Sequence, residues 1–216
     1  MRFIEQDLTE YCLSLIDMEI SVESVQGGAD EVVFITEHPE VYTAGRSFEP
    51  SDFLGKKSNE GRVYYPNRGG RVTIHSPGQI VIYPIINLGK RGIGVIEYVR
   101  ELEAWIIRIL EKFGVRSFKS AEGIGVWAGP LPKPSEAELS ERSINESGKI
   151  GYVGVRISKG ISSHGFCINI SNDLDLFRWI VPCGLVDARI TSLFKIIDRN
   201  IPIKTVSKAV IETCRF

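Results

Sequence analysis

One long amphipathic segment, Gly94 to Gly114, lies between two groups of short apolar runs and limits what this chain can fold into. Val95, Ile96, Val99, Leu102, Ile106, Ile109, Leu110 and Phe113 recur at close to helical spacing. That predicts a helix with one apolar face, long enough to cover a sheet, ending at Gly114. A second helix is expected from Asp7 to about Ile20, with Leu8, Tyr11, Cys12, Leu15, Ile16 and Met18 on its buried face and Asp7 or Thr9 as cap. Strands are expected at Glu31–Thr36, Val63–Tyr65, Arg71–Ile74 and Gln79–Ile86, with Glu37–Pro50 as a loop. Ser76-Pro77-Gly78 is turn chemistry, so the last two strands are expected to form a hairpin. Ser117–Ala128 reads as two short strands, Lys149–Ile157 and Ser162–Ile170 as two more, Asp173–Trp179 as one or two helical turns, and Thr205–Arg215 as a C-terminal helix. Gly129–Gly148, with three prolines, four glutamates and four serines, reads as a surface insertion. Strands in consecutive groups argue for an α+β fold with a mixed, largely antiparallel sheet packed with helices, in one domain spanning 1–216.

Composition narrows the function classes. The 216 residues hold 26 basic and 27 acidic side chains, and the net charge of −1 argues against nucleic acid as a partner. The longest apolar run, Ile80–Ile86, is far short of the ~20 residues a membrane span needs. Glu5 and Asp7 stand where a signal peptide would be apolar, so a cytosolic setting with reduced thiols is expected. Cys12, Cys167, Cys183 and Cys214 are 155, 16 and 31 positions apart, so none has metal-finger or redox spacing, and no metal or cofactor is expected. Cys12 and Cys214 read as small buried hydrophobes.

Cys183 differs, because it stands between Pro182 and Gly184 in a fixed bend. Such a bend either exposes a thiol at a cleft edge, with backbone N–H groups free to hold an oxyanion, or buries a turn cysteine. Lys149, opening an apolar strand after Gly148, is either a partly desolvated activator of a thiol or a solvated loop lysine. His75 and His164 each read as a general base or a structural histidine, and His38, before Pro39, as a residue shaping an entrance. Arg68-Gly69-Gly70 suggests close backbone approach to a ligand, but lacks the fuller glycine pattern of a nucleotide loop.

In order along residues 30–195 stand Glu37–Arg46, Arg68–Gln79, Gly125-Val126-Trp127, Lys149–Arg156, His164–Asn169 and Pro182-Cys183-Gly184. The set resembles the lipoyl(octanoyl) transferases, octanoyl-[acyl-carrier-protein]:protein N-octanoyltransferases. The resemblance implies a biotin/lipoate transferase-like domain. It implies transfer of an octanoyl or lipoyl group from acyl carrier protein to a lysine on the lipoyl domains of 2-oxoacid dehydrogenase and glycine-cleavage proteins. The family's acyl-thioester nucleophile falls on Cys183 and its thiol-activating lysine on Lys149. Its substrate contacts fall on Arg68, Gly69, Gly70, Arg71, Val72, Thr73, Ile74 and His75, on Tyr152, Val153 and Gly154, and on Gly165, Phe166 and Cys167. Arg71 stands where glutamine is usual and Cys167 where alanine is usual. The alternatives are an ATP-dependent lipoate ligase, which needs no cysteine, and a non-catalytic binder of the carrier or lipoyl domain.

Overall fold

The computed structural model describes residues 1–54, 63–119, 123–129, 147–181 and 189–216. Residues 130–146 of the expected insertion Gly129–Gly148 and the Pro182-Cys183-Gly184 bend therefore lie outside the described residues, while Gly148 itself opens a strand. Strands β1 (Arg2–Leu8), β2 (Val32–Glu37), β3 (Val41–Ala44), β4 (Val63–Tyr64), β5 (Val72–His75), β6 (Gln79–Ile85), β7 (Ser117–Lys119), β8 (Val126–Ala128), β9 (Gly148–Ser158) and β10 (Ile161–Asn169) form two sheets. Among the described residues the larger has seven strands, in the order β1-β2-β6-β10-β9-β8-β7, and the smaller has three, β4-β3-β5. Pairing is antiparallel except for β1 with β2 and β3 with β4. The mixed, largely antiparallel sheet is as expected.

Both faces of the large sheet are covered, so the interior strand β6 is apolar from Ile80 to Ile85 rather than alternating. Every residue of β6 is buried. Val33, Ile35, Ile80, Ile82 and Ile168 point to one face, against helices α3 (Val95–Glu111) and α5 (Ile203–Thr213). On α3 the residues Tyr98, Leu102, Trp105, Ile106, Ile109 and Leu110 are buried, while Val95 and Ile96 are exposed, so the buried stripe begins one turn later than the spacing suggests. Val32, Phe34, Val81, Tyr83 and Cys167 point to the opposite face, toward the small sheet. Short helices α2 (Leu88–Arg91) and α4 (Leu193–Ile197) and the 3₁₀ helices Pro50–Asp52 and Leu174–Trp179 complete the helical elements among the described residues.

Three expectations fail. Helix α1 (Tyr11–Gln26) starts later than Asp7, its cap is Glu10, and Leu8 belongs to β1. It buries Tyr11, Ser14, Met18 and Val25 and exposes Ile16, while Cys12 is half-buried. The Glu37–Pro50 stretch contains β3, whose four residues are all buried. The expected hairpin does not form: β5 pairs with β3 and β6 with β2 and β10. The turn is tight all the same, with Gln79 N donating to Ser76 O and Gly78 at φ 86°. It is a corner between two sheets, pressed so closely on Ser171-Asn172 that a Cβ at Gly78 would lie 2.7 Å from Asn172 N.

Candidate active site

Proline has no N–H to give a ladder, so Pro84 in interior strand β6 interrupts pairing. Strand β10 pairs with β6 only up to Phe166–Ile82. Beyond it the Ser162 hydroxyl fills the gap, donating to Pro84 O at 2.7 Å and accepting from Ile86 N at 2.9 Å. At the interruption His164 takes φ 55°, an unfavourable value for a side chain with a Cβ, and its N–H points at Met18 Sδ. A pocket opens there, between the large sheet and the loop leading into β5, with Tyr11 of α1 also lining it.

Of the residues expected to bind substrate, Arg68, Gly70, Arg71, Val72, Thr73, His75, Tyr152, Val153, Gly154, Gly165, Phe166 and Cys167 line this one pocket. Gly69 and Ile74 do not. Gly69 N instead donates to Val155 O at 2.8 Å, pinning the loop to β9, and Ile74 is core. Cys167 lies between Val81 and Tyr152 in one row across β6, β10 and β9. Arg68 is buried and donates from Nη2 to Thr43 O at 2.6 Å and Thr43 Oγ1 at 2.8 Å. Gly45 permits this closeness, since a Cβ there would sit 2.7 Å from Arg68 Nη1 and 2.3 Å from Gly70 O. The buried Thr73 hydroxyl has no hydrogen-bond partner among the described residues.

The histidines are neutral. Burial, with smaller contributions from His38, Arg68 and His164, pushes His75 down to about 3. Burial and the cations Arg68 and Arg156 push His164 down to about 3. Gln79 uses its Nε2 on Ile74 O and Asn169 Oδ1, so its Oε1 accepts from His75 Nδ1–H at 2.6 Å. The His75 lone pair is therefore on Nε2. His38 does not shape an entrance: it is fully buried, donates from Nδ1 to Thr9 O and accepts at Nε2 from the Tyr83 hydroxyl.

Lys149 reaches the same face through a register shift. Along β8, Val126 and Trp127 are consecutive, yet they pair with Gly151 and Lys149, so Ile150 is one extra residue in β9. A bulge of this kind re-aims the side chains on either side of it. After it, Val153 and Val155 pack with the α3 core, and Gly151 faces Ile106. Lys149 is turned the other way. It is fully buried, and its Nζ lies 4.7 Å from the centroid of Trp127 and 5.1 Å from that of Tyr152, a pocket residue. Nζ donates to Ile124 O at 2.8 Å. The turn carrying that carbonyl is fixed by Glu103 of α3, whose Oε1 accepts from Gly125 N at 2.8 Å. Gly125 has φ 130°, and a Cβ there would lie 2.6 Å from Lys149 Cε.

The Lys149 backbone meets the end of the stretch that contains Cys183. Lys149 N donates to Arg189 O at 2.7 Å, and Thr191 N donates to Lys149 O at 3.0 Å. Asn169 Nδ2 donates to Thr191 O, so His75, Gln79, Asn169 and Thr191 form a hydrogen-bonded run from the pocket to the lysine backbone. At the other end Val181 N donates to Asp52 O at 2.7 Å.

The lipoyl protein ligase A/B catalytic domain family matches residues 12–215. The chain belongs to this family. The octanoyltransferase of Dinoroseobacter shibae is 38% identical over 203 residues, 93% of this chain and 87% of that protein. The octanoyltransferase of Rickettsia prowazekii is 39% identical over 197 residues, 89% of this chain and 88% of that protein. Lipoate-protein ligase A bound with ATP shares the fold at a TM-score of 0.70 and 15% identity, over 98% of this chain and 83% of that one. In this family member, Tyr11, Val81 and Tyr83 also line the pocket, and nothing in their sequence context separates them from core residues. His164 lines it too, where the sequence left base and structural roles open. Among the described residues no group of three His, Cys, Asp or Glu side chains is placed to hold a metal ion.

Proposed function

We propose that this chain transfers the octanoyl group through a thioester on Cys183, activated by Lys149, within a single catalytic domain. Octanoyl transfer in lipoate attachment is the activity of the family branch to which its relatives belong, and lipoyl domains are the acceptors. The donor in this reading is octanoyl-acyl carrier protein and the setting is the cytosol, in keeping with three free cysteines among the described residues. The Cys183 thiolate attacks the donor's thioester carbonyl, the carrier thiol leaves, and the octanoyl group rests on sulfur. The acceptor lysine amine then attacks that thioester, forming the amide and releasing the Cys183 thiol. Lys149 favours the thiolate as ammonium and takes the proton of the incoming amine when neutral. The thioester is already activated, so the step needs no nucleotide.

The observation that carries the reading is the placing of Lys149. A buried ammonium borders the pocket through Tyr152, and its own backbone is paired with Arg189. The pocket is suited to an uncharged tail: its histidines are neutral and Tyr11, Tyr83 and Tyr152 line it. Burying the seven carbons beyond the carbonyl is worth roughly 5 kcal/mol at ~0.8 kcal/mol each. Intact-mass measurement after incubation with octanoyl-acyl carrier protein is expected to show one octanoyl adduct, absent in Cys183→Ala. Unmodified wild-type protein under conditions where the carrier binds would refute the thioester route.

A further inference from the structure

The buried side chain of His164 stands between two cavities. One is the pocket described above. The other, of about 390 Å³, is walled by α1 and by the paired ends of β9 and β10. The strands pass from one cavity to the other in order. On β9 the lining runs from Tyr152 and Gly154 in the first to Arg156 and Ser158 in the second. On β10 it runs from Cys167 and Gly165 in the first to Ser163 in the second. Among the described residues His164 is the one that lines both. Strict alternation from Cys167 would turn His164 to the opposite face of the sheet. Its φ of 55° brings it back, and its ring meets that of Tyr83 edge-on, with centroids 6.3 Å apart. Glycine would adopt this backbone at no steric cost, and a residue with a Cβ does not, so what position 164 supplies is the side chain.

The spacing of the strands gives the pocket a length. Its reacting end is at Tyr152, beside the Lys149 ammonium. His164 pairs with Val155, further along β9 from Tyr152. At ~3.3 Å per residue that separation is about 10 Å. An octanoyl group has seven bonds from carbonyl carbon to methyl and reaches about 8–9 Å when extended, since three chain bonds span ~3.6 Å. The methyl end therefore arrives at the His164 ring. We propose that His164 is a specificity-determining residue, whose ring closes the far end of the acyl pocket and sets an octanoyl-length limit. A longer chain must displace the ring to enter the second cavity, where Leu15, Met18 and Val22 of α1 offer apolar surface. This rests on the octanoyl-transfer reading and on the pocket as the seat of the tail.

The test compares octanoyl- and dodecanoyl-acyl carrier protein as donors, measured as kcat/KM for transfer to a lipoyl domain. Wild-type protein is expected to use the dodecanoyl donor at least ~10-fold less well than the octanoyl donor. His164→Gly keeps the backbone turn and removes the ring, and is expected to raise the dodecanoyl-to-octanoyl ratio at least ~10-fold. A buried methylene is worth about 4-fold, so cover for even two of the four extra ones suffices. Should that variant fail to fold, His164→Asn, which is shorter and tolerates the same φ, is expected to shift the ratio in the same direction by a smaller factor. Partial unfolding lowers both rates alike and leaves their ratio unmoved, so the ratio reports the end of the pocket and not stability. Wild-type protein that uses the two donors equally well overturns the proposal, and so does a ratio unmoved in the folded variant. Wild-type protein that transfers no octanoyl group from its donor overturns the octanoyl-transfer reading itself.

Discussion

Replacing Lys149 with methionine separates what the buried ammonium does for the fold from what it does for the reaction. The side chain keeps its length, and loses the hydrogen bond to Ile124 O and the contacts with Trp127 and Tyr152. A hydrogen bond to a charged group contributes ~1.5–3 kcal/mol and a desolvated cation–ring contact ~2 kcal/mol, so roughly 5 kcal/mol is lost. Against this, the ammonium is fully buried, and removing it relieves a desolvation cost of several kcal/mol. Methionine also packs well on aromatic rings. The two sides nearly cancel, so Lys149→Met is expected to change stability by no more than about 2 kcal/mol, or about 8 °C in Tm for a chain of this size. Acylation of Cys183 at pH 7, followed by intact mass, is expected to fall at least ~100-fold. Raising the pH toward ~8.5 should restore part of the first half-reaction, because hydroxide then supplies the thiolate that Lys149 no longer favours. A variant that acylates within ~3-fold of wild type at pH 7, or that loses more than ~4 kcal/mol of stability, would show the lysine to be a structural residue.

Gly125→Ala drives a Cβ toward Lys149 Cε and Gly151 O at a φ of 130°, so transfer should drop ~10-fold or more with Tm lowered, read by single-turnover acylation and a thermal melt. His75 and His164 stand near 3 in the folded chain, against ~6.5 unfolded, so the unfolded state binds more protons between those values. Stability is therefore full above about pH 6.5 and is lost as pH falls toward 3, by about 2 kcal/mol per ring at pH 5. Urea unfolding at pH 7 and 5 measures the loss, which should shrink by about 2 kcal/mol in His75→Gln. Trp105 donates from Nε1 to Val210 O and Thr213 Oγ1 and meets Phe166 and Phe216, so Trp105→Ala should cost ~3–5 kcal/mol in denaturant unfolding by loosening α5 from α3.

The fold was legible where apolar period and turn chemistry agree, as in α3, β2 and β6. It was not legible where the partner is remote. No element is expected over residues 2–6, because β1 is an edge strand that, among the described residues, pairs only with β2. On α1 apolar residues lie on two sides. Leu13, Ile16 and Ile20 are more than half exposed, whereas the buried side carries Ser14 and Tyr11 because it faces the pocket and its neighbourhood. Periodicity cannot choose between two apolar stripes when the deciding contact, Met18 against His164, spans 146 residues. Ser76-Pro77-Gly78 was rightly a tight turn, but a turn does not say whether its two strands share a sheet.

The site shows the same division in sharper form. Motif order grouped residues that the fold does bring together, since twelve of the fourteen expected substrate contacts line one cavity. What no local pattern shows is why Lys149 belongs with them. By strict alternation Lys149 would share a face with Gly151 and Val153, pointing at Ile106 and the α3 core. The extra residue Ile150 reverses it, placing the ammonium beside Tyr152 and leaving an apolar side chain to fill the core. Gly151 then has no side chain to crowd Ile106, and Gly125 none to crowd the lysine. Two glycines and one inserted residue thus turn a core-facing strand position to the pocket's side of the sheet, beside Tyr152. In an antiparallel ladder a one-residue shift is the smallest change that moves a side chain from one face to the other.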